Sequence, residues 1–140
     1  MTDNGLVTIP SQFSASETMQ RFVAAITGRG MTVFARIDHA DGAAKVGMTL
    51  RPTELLIFGH PKGGTPLMLS RQTAGIDLPL KALAWQDENG DNWLTLNSAS
   101  WIAQRHELGD ETAAAVKTLD QAMTAIAQEA AGRLGARHEG

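Results

Sequence analysis

The chain has 140 residues, of which 43% are hydrophobic and 19% charged, and its formal net charge is −3. This length and composition predict one soluble globular domain, 1–140, with enough apolar side chains for a hydrophobic core. A weakly acidic chain lacks the basic surface of most nucleic-acid-binding domains, so we expect no nucleic-acid partner. The absence of cysteine excludes disulfides and thiol nucleophiles.

Membrane association is not expected either. No window approaches the ~20 consecutive apolar residues that a membrane-spanning helix needs. Residues 1–10 lack the basic start and apolar run of a signal peptide, so we expect a cytoplasmic protein.

The first half of the chain alternates strand and helix signals. Leu6–Ile9 alternates weakly up to Pro10, which predicts a short edge strand. Ser14 and Glu17 have the spacing of a capping box before a helical apolar pattern. Further predicted elements are a strand over Met31–Ile37, a short helix from an Asp38 cap to about Val46, and a strand over Glu54–Phe58.

The second half predicts a hairpin between helices. Thr65 and Pro66 have the sequence of a helix start, with that helix ending near Ser70. Strands Leu80–Gln86 and Asn92–Leu96 flank a turn with the sequence Asn-Gly. A short helix from Ser98 or Ser100 and a long helix over about 110–134, capped by Asp110, complete the chain.

The order of elements, β-α-β-α-β-α-β-β-α-α, predicts the α+β class. We expect a two-layer sandwich with a mixed, mainly antiparallel sheet, helices chiefly on one face, and a C-terminal hairpin and long helix. The segment Met31–Phe58 is compatible with a right-handed parallel crossover. A doubly wound parallel sheet is the alternative, which the hairpin and the short helices disfavour.

The type of turn in the hairpin decides which side chains share a face of the sheet. A two-residue turn at Asn89-Gly90 would place Trp85 opposite Leu94 and leave Trp93 on the non-core face. A bulged turn would instead set Trp85 against Trp93. With a two-residue turn, the large Trp93 side chain on the non-core face would have to be covered by another group. Together with an edge strand, this predicts a homodimer. The predicted core residues are Phe22, Ile26, Leu55, Ile57, Leu83, Trp85, Leu94, Leu119 and Met123.

The strongest signal for a functional site is the stretch Thr53–Pro66, TELLIFGHPKGGTP. An apolar strand runs into the Gly/Pro-rich loop Gly59–Pro66, just before a helix. Backbone N–H groups at such a place, with the Lys62 ammonium, are suited to a carboxylate or phosphate. Gly/Pro-rich turns are common and most bind no ligand, so a tight turn with a solvated Lys62 is the more common outcome of such a sequence. The candidate ligand-binding residues are His60, Lys62, Gly63, Gly64, Thr65 and Asp77.

These residues predict a non-catalytic binding or sensing module for a small anionic ligand. The alternative is an enzyme in which His60 acts as acid or base while Lys62 and the loop amides stabilise an anion. Asp77 lies between apolar neighbours, and a turn in which its side chain bonds to its own backbone is the favoured interpretation of that position. The histidines have no metal-ligand spacing, so we expect no metal and no cofactor.

Several motifs, in order, resemble the domain of unknown function 302 family. They are Val33–His39, Leu50–Leu55, Phe58–Met68 and Gly75–Lys81, and the resemblance extends through the hairpin to cover roughly 8–106. It implies a small α+β domain of bacteria and archaea with no assigned activity. The family commonly has Asn where this chain has His60, which argues against a role that requires an imidazole.

Overall fold

The computed structural model describes residues 4–132 and has the expected α+β architecture. Its strands are β1 (Leu6–Pro10), β2 (Thr32–Asp38), β3 (Thr53–Gly59), β4 (Leu80–Gln86) and β5 (Asn92–Asn97). Its helices are α1 (Ala15–Gly28), α2 (His39–Lys45), α3 (Pro61–Ser70), α4 (Ala99–Arg105) and α5 (Ala113–Ala131), with 3₁₀ segments at Gln72–Asp77 and Asp110–Thr112. The strands form one sheet in the order β1-β5-β4-β3-β2.

All four strand pairings are antiparallel, so the expected mixed sheet is wholly antiparallel within the described residues. In particular β2 and β3 are direct neighbours, with Ile37 opposite Leu55. The predicted parallel crossover over Met31–Phe58 is therefore wrong. Helix α2 only reverses the chain at the end of the two strands, because a neighbouring antiparallel strand needs no path across the sheet.

Side-chain caps begin three helices where the sequence places them. Ser14 Oγ accepts the Glu17 N–H at 3.1 Å, and Asp38 Oδ1 accepts the Asp41 N–H at 2.9 Å. Ser98 Oγ accepts the Trp101 N–H at the start of α4. These interactions are local, which is why residue spacing alone predicts them.

Two predicted helix starts are wrong. Helix α3 begins at Pro61, not at Thr65, and continues through Pro66, because Pro61 suits the first helical position. Asp110 forms no side-chain cap; a 3₁₀ turn precedes α5, which begins at Ala113. Leu134, the predicted end of the last helix, lies outside the described residues.

Helices α1 and α5 pack on the face of the sheet formed by Leu56, Phe58, Ala82, Ala84, Leu94 and Leu96. Phe22 meets Phe58 edge-on at 5.1 Å between ring centroids. Phe22, Ile26, Leu94 and Met123 are buried, as predicted, whereas Leu119 is partly buried. The prediction is wrong for four strand residues on the opposite, partly exposed face, namely Leu55, Ile57, Leu83 and Trp85. A continuous apolar run such as Leu55–Phe58 does not indicate which alternate residues face the helices.

The hairpin between β4 and β5 has the bulged turn, with Trp85 opposite Trp93. The Asp87 N–H donates to the Asp91 carbonyl, and Gly90 takes a positive φ of 85°. The Asp87 carboxylate accepts the backbone N–H groups of Asn89 and Asp91, which stabilises this longer loop. The two-residue turn is therefore wrong, and both indoles lie on one face, stacked at 6.2 Å between centroids.

Candidate functional site

The candidate loop is the first turn of α3, and His60 is its N-cap. His60 Nδ1 accepts the backbone N–H of Lys62 at 3.1 Å. The N–H groups of Gly63 and Gly64 donate to the His60 carbonyl at 2.8 Å and 3.3 Å. Pro61 has no N–H. The amides at this helix start are thus bonded within the turn, and a ligand here would be oriented by side chains.

The cap also defines the hydrogen-bonding state of the His60 ring. Because Nδ1 accepts a bond, the proton of the neutral imidazole lies on Nε2. Nε2–H can donate to a ligand, but the lone pair that a general base needs is occupied by the cap. An Asn side chain can accept the same N–H.

A cavity of about 320 Å³ lies beneath this turn. Its walls are formed by the start of β2, the facing ends of β3 and β4, helix α3 and one residue of α5. They include Phe34, Phe58, Met68, Leu80 and Leu119. The only polar side chains in the lining are those of His60 and Thr65. The site therefore combines an apolar interior with polar groups at the start of a helix.

The two glycines of α3 keep this space open. A Cβ atom on Gly64 would lie 3.7 Å from Leu78 Cδ1 and 3.8 Å from Met68 Cε. A Cβ atom on Gly63 would lie 3.0 Å from Leu119 Cδ2 of α5. Glycine thus allows a close approach of α3 to α5 and leaves room between α3 and the sheet edge.

Lys62 is exposed at the same helix start. Within residues 4–132 its ammonium group takes part in no salt bridge. Its positive charge adds to the positive end of the α3 dipole, and both favour an anion at this end of the cavity.

Asp77 is engaged elsewhere. Both oxygens of its carboxylate accept bonds from Arg105 Nη1, at 3.0 Å and 3.1 Å, and Oδ2 also contacts His106 Nε2 at 2.6 Å. His106 Nδ1 lies 3.1 Å from the Thr73 hydroxyl. This cluster joins the 3₁₀ segment Gln72–Asp77 to the end of α4.

The structure therefore brings five of the six predicted residues to one helix start. Four of them, His60, Gly63, Gly64 and Thr65, line the cavity, whereas Lys62 and Asp77 do not. Arg105 and His106 were not predicted as its partners, and no local pattern indicates a contact across 28 or 29 residues of chain. Among the described residues, no group of three or more His, Cys, Asp or Glu side chains is arranged to hold a metal ion. The same part of the chain contains no helix of the length and apolarity needed to cross a membrane.

Comparison with known proteins identifies the family. The model of the family described as "Domain of unknown function DUF302" matches residues 7–126. The chain belongs to this family. A crystal structure of an uncharacterized conserved DUF302 protein from Bacillus stearothermophilus has the same fold, with a TM-score of 0.80 at 14% identity, covering 90% of this chain and 98% of that one.

Two Brucella proteins are also similar to this DUF302 chain. The protein named "Fluoride-specific ion channel FluC 1" of Brucella suis biovar 1 (strain 1330) is 47% identical over 130 residues, which are 93% of this chain and 51% of that protein. The protein of the same name from Brucella abortus biovar 1 (strain 9-941) is also 47% identical, over 48% of its length. The chain thus spans about half the length of these relatives.

Proposed function

We propose that this DUF302 domain is a non-catalytic module that binds a small amphipathic acid. The apolar part of the ligand would enter the cavity beneath α3, and its acidic group would lie near His60 and Lys62. The observation that carries this proposal is the cavity itself, with about 320 Å³ of space, largely apolar walls and a cationic side chain at the adjoining helix start.

The chemistry of the walls favours this class of ligand over inorganic phosphate. Small-molecule sites have volumes of roughly 300–1,000 Å³ and apolar walls with few polar groups, as here. Burial of apolar ligand surface contributes about 25 cal/mol per Å². Phosphate would gain nothing from Phe58, Met68 or Leu80, and the amides that usually hold it are bonded to His60 or its carbonyl.

The alternative of an enzyme with His60 as base has less support. Its Nδ1 lone pair accepts the Lys62 N–H, so proton abstraction through that atom would require loss of the helix cap. The amides proposed to stabilise an anion donate within the turn. What remains at His60 is a donor, Nε2–H, which is suited to holding a carboxylate in place.

A melting series with acids of increasing length tests the proposal. We would measure thermal unfolding with acetate, hexanoate, octanoate and phosphate, below any micelle-forming concentration. The upward shift in Tm should grow with alkyl length, because only binding to the folded state stabilises it. Phosphate and acetate should have little effect.

Two pairs of variants locate the ligand. Lys62→Ala should reduce the shift caused by octanoate, whereas Lys117→Ala, at an exposed lysine of α5, should not. Gly64→Ala should also reduce it by narrowing the cavity, while Gly28→Ala, whose new Cβ atom meets nothing within 4 Å, should leave it unchanged. Equal shifts for all acids, or equal losses in the test and control variants, would contradict the site.

The names of the Brucella relatives suggest a second candidate function, namely a role in the handling of fluoride. Its support is weaker, because this chain spans only about half of those proteins and a strongly hydrated small anion gains nothing from apolar walls. Sodium fluoride in the same melting series tests it against sodium chloride. A shift specific to fluoride that Lys62→Ala abolishes would favour this candidate over an amphipathic acid.

We also propose that the domain acts as a homodimer. Trp93 and Trp85 are both partly exposed on the sheet face away from α1 and α5, which is unusual for two large aromatic side chains without a partner. Sedimentation velocity at micromolar concentration measures the molecular mass and so distinguishes a monomer from a dimer.

A further inference from the structure

One face of the sheet lies away from the helical layer. Paired residues of an antiparallel sheet share a face, so the register assigns its large apolar members as Leu6, Ile37, Leu55, Ile57, Leu83, Trp85 and Trp93. None belongs to the buried core clusters, and each is partly exposed or exposed. We call this surface the open sheet face.

Both indole N–H groups of the open sheet face already have acceptors within the chain. Trp85 Nε1–H donates to Thr95 Oγ1 at 2.9 Å, and the Thr95 hydroxyl is also bonded to that of Thr8. Trp93 Nε1–H donates to Asp87. Burying tryptophan is usually costly when its indole N–H loses its acceptor. A partner that covers this face would not cause that loss.

The open sheet face is also nearly free of charge. By the register, Lys81 is the only charged strand residue on it, and its ammonium group donates to the Pro79 carbonyl. A two-fold axis brings a surface against itself, so a face rich in one sign of charge would repel its copy. This face has only the Lys81 ammonium among its strand residues, so the repulsion between two copies would be small.

The size of the face matches that of a stable interface. Five strands at a spacing of ~4.8 Å span about 24 Å, and strands of about six residues are roughly 20 Å long. The projected area is thus about 480 Å², and the accessible area of the uneven side chains is larger. Stable complexes bury about 800 Å² per partner, so this face is large enough for most of one.

We infer that two copies of the chain join through their open sheet faces, as a two-fold symmetric pair of sheets about 10 Å apart. This inference rests on the homodimer proposed above and adds its surface. The cavity lies on the helical side of the sheet, next to Phe58 and Leu80, so both cavities stay accessible in such a dimer. Ligand binding and dimerisation are therefore separable in experiment.

Charged substitutions on and off the face test the inference. Ile37 is 38% exposed at the edge of the open sheet face, so we expect the folded monomer to tolerate Ile37→Arg. This substitution should raise the dissociation constant of the dimer, measured by sedimentation, at least tenfold. Leu83→Arg, nearer the centre, should abolish dimers. Leu69 of α3 is 82% exposed away from this face, and Leu69→Arg is the matched control that should remain dimeric. Cooperative melting of each variant confirms its folding.

Tryptophan fluorescence supplies a second measurement that does not depend on any charged variant. In a Trp101→Phe background the two remaining indoles, Trp85 and Trp93, report only on the face. Dilution through the dimer-to-monomer range should increase their quenching by acrylamide. A monomeric parent protein would overturn both the homodimer and its surface. A dimer that Leu69→Arg dissociates while Ile37→Arg does not would overturn the surface alone.

Discussion

The carboxylate of Asp87 accepts a 2.8 Å hydrogen bond from the indole N–H of Trp93. This bond is the main reason why the pKa of Asp87 lies below its ordinary value of 3.8. Desolvation, the second largest effect, raises the pKa, and the backbone N–H groups of Asp91 and Asn89 and the charge of Arg51 each lower it by a smaller amount. One carboxylate thus holds both the turn and the position of Trp93.

The first prediction is a pH dependence of stability that Asp87 causes. Since the pKa is lower in the folded state, Asp87 stabilises the fold at neutral pH, and this contribution is lost as the pH falls below about 4 through the folded pKa. Asp87→Asn should therefore lower Tm at pH 7, and the deficit should shrink toward pH 3. Asp91→Asn, in the same turn, is the control. Parallel Tm curves for Asp87→Asn and the parent protein would refute the prediction.

A second prediction separates the two faces of β3. Leu56 is fully buried against the helices, so Leu56→Ala should lower the free energy of unfolding by ~2–5 kcal/mol. Leu55→Ala, on the partly exposed face, should have a smaller effect that depends on protein concentration if the dimer forms there. Urea midpoints at two concentrations measure both. Equal losses at both positions would show that the faces are assigned wrongly.

The third prediction concerns the cap of α3. His60→Asn keeps an acceptor for the Lys62 N–H and should leave stability nearly unchanged, whereas His60→Ala should lower the free energy of unfolding by about 1 kcal/mol. Ser14→Ala at the cap of α1 calibrates the expected loss. Urea unfolding gives the values. If Asn and Ala at position 60 prove equally destabilising, the imidazole has a role besides capping.

The fourth prediction distinguishes a structural from a ligand-binding Asp77. Asp77→Ala removes the carboxylate that accepts from Arg105 and contacts His106. The His106 side chain is only 8% exposed, so the loss affects a nearly buried group. We expect a loss of ~1–3 kcal/mol in the free energy of unfolding and an unchanged octanoate-induced shift in Tm. Asp110→Ala, at an exposed acidic residue without a capping bond, should change neither. If Asp77→Ala leaves the protein stable but abolishes the octanoate-induced shift in Tm, Asp77 has a role in ligand binding.

The sequence by itself determined the features that depend on neighbouring residues. Ser14, Asp38 and Ser98 cap helices because their side chains reach an N–H three residues ahead, whatever the rest of the chain does. The hairpin at Asp87–Asp91 and the order of the elements were likewise predictable, and the order sufficed for the α+β class. The gathering of His60 to Thr65 at one helix start followed from their adjacency.

Only the tertiary structure decided the features that depend on distant partners. In the apolar run Leu55–Phe58, either set of alternate side chains could face the helices. Packing against α1 determines that Leu56 and Phe58 do so. The register of the β4–β5 turn is an intermediate case, since the Asp87 carboxylate stabilises it through bonds to residues only two to six positions away. Asp77 contacts Arg105 and His106, which lie more than 25 residues away in the chain, and the cavity exists only where β2, β3, β4, α3 and α5 meet. Such contacts depend on which elements pack against each other, and no local residue spacing specifies that.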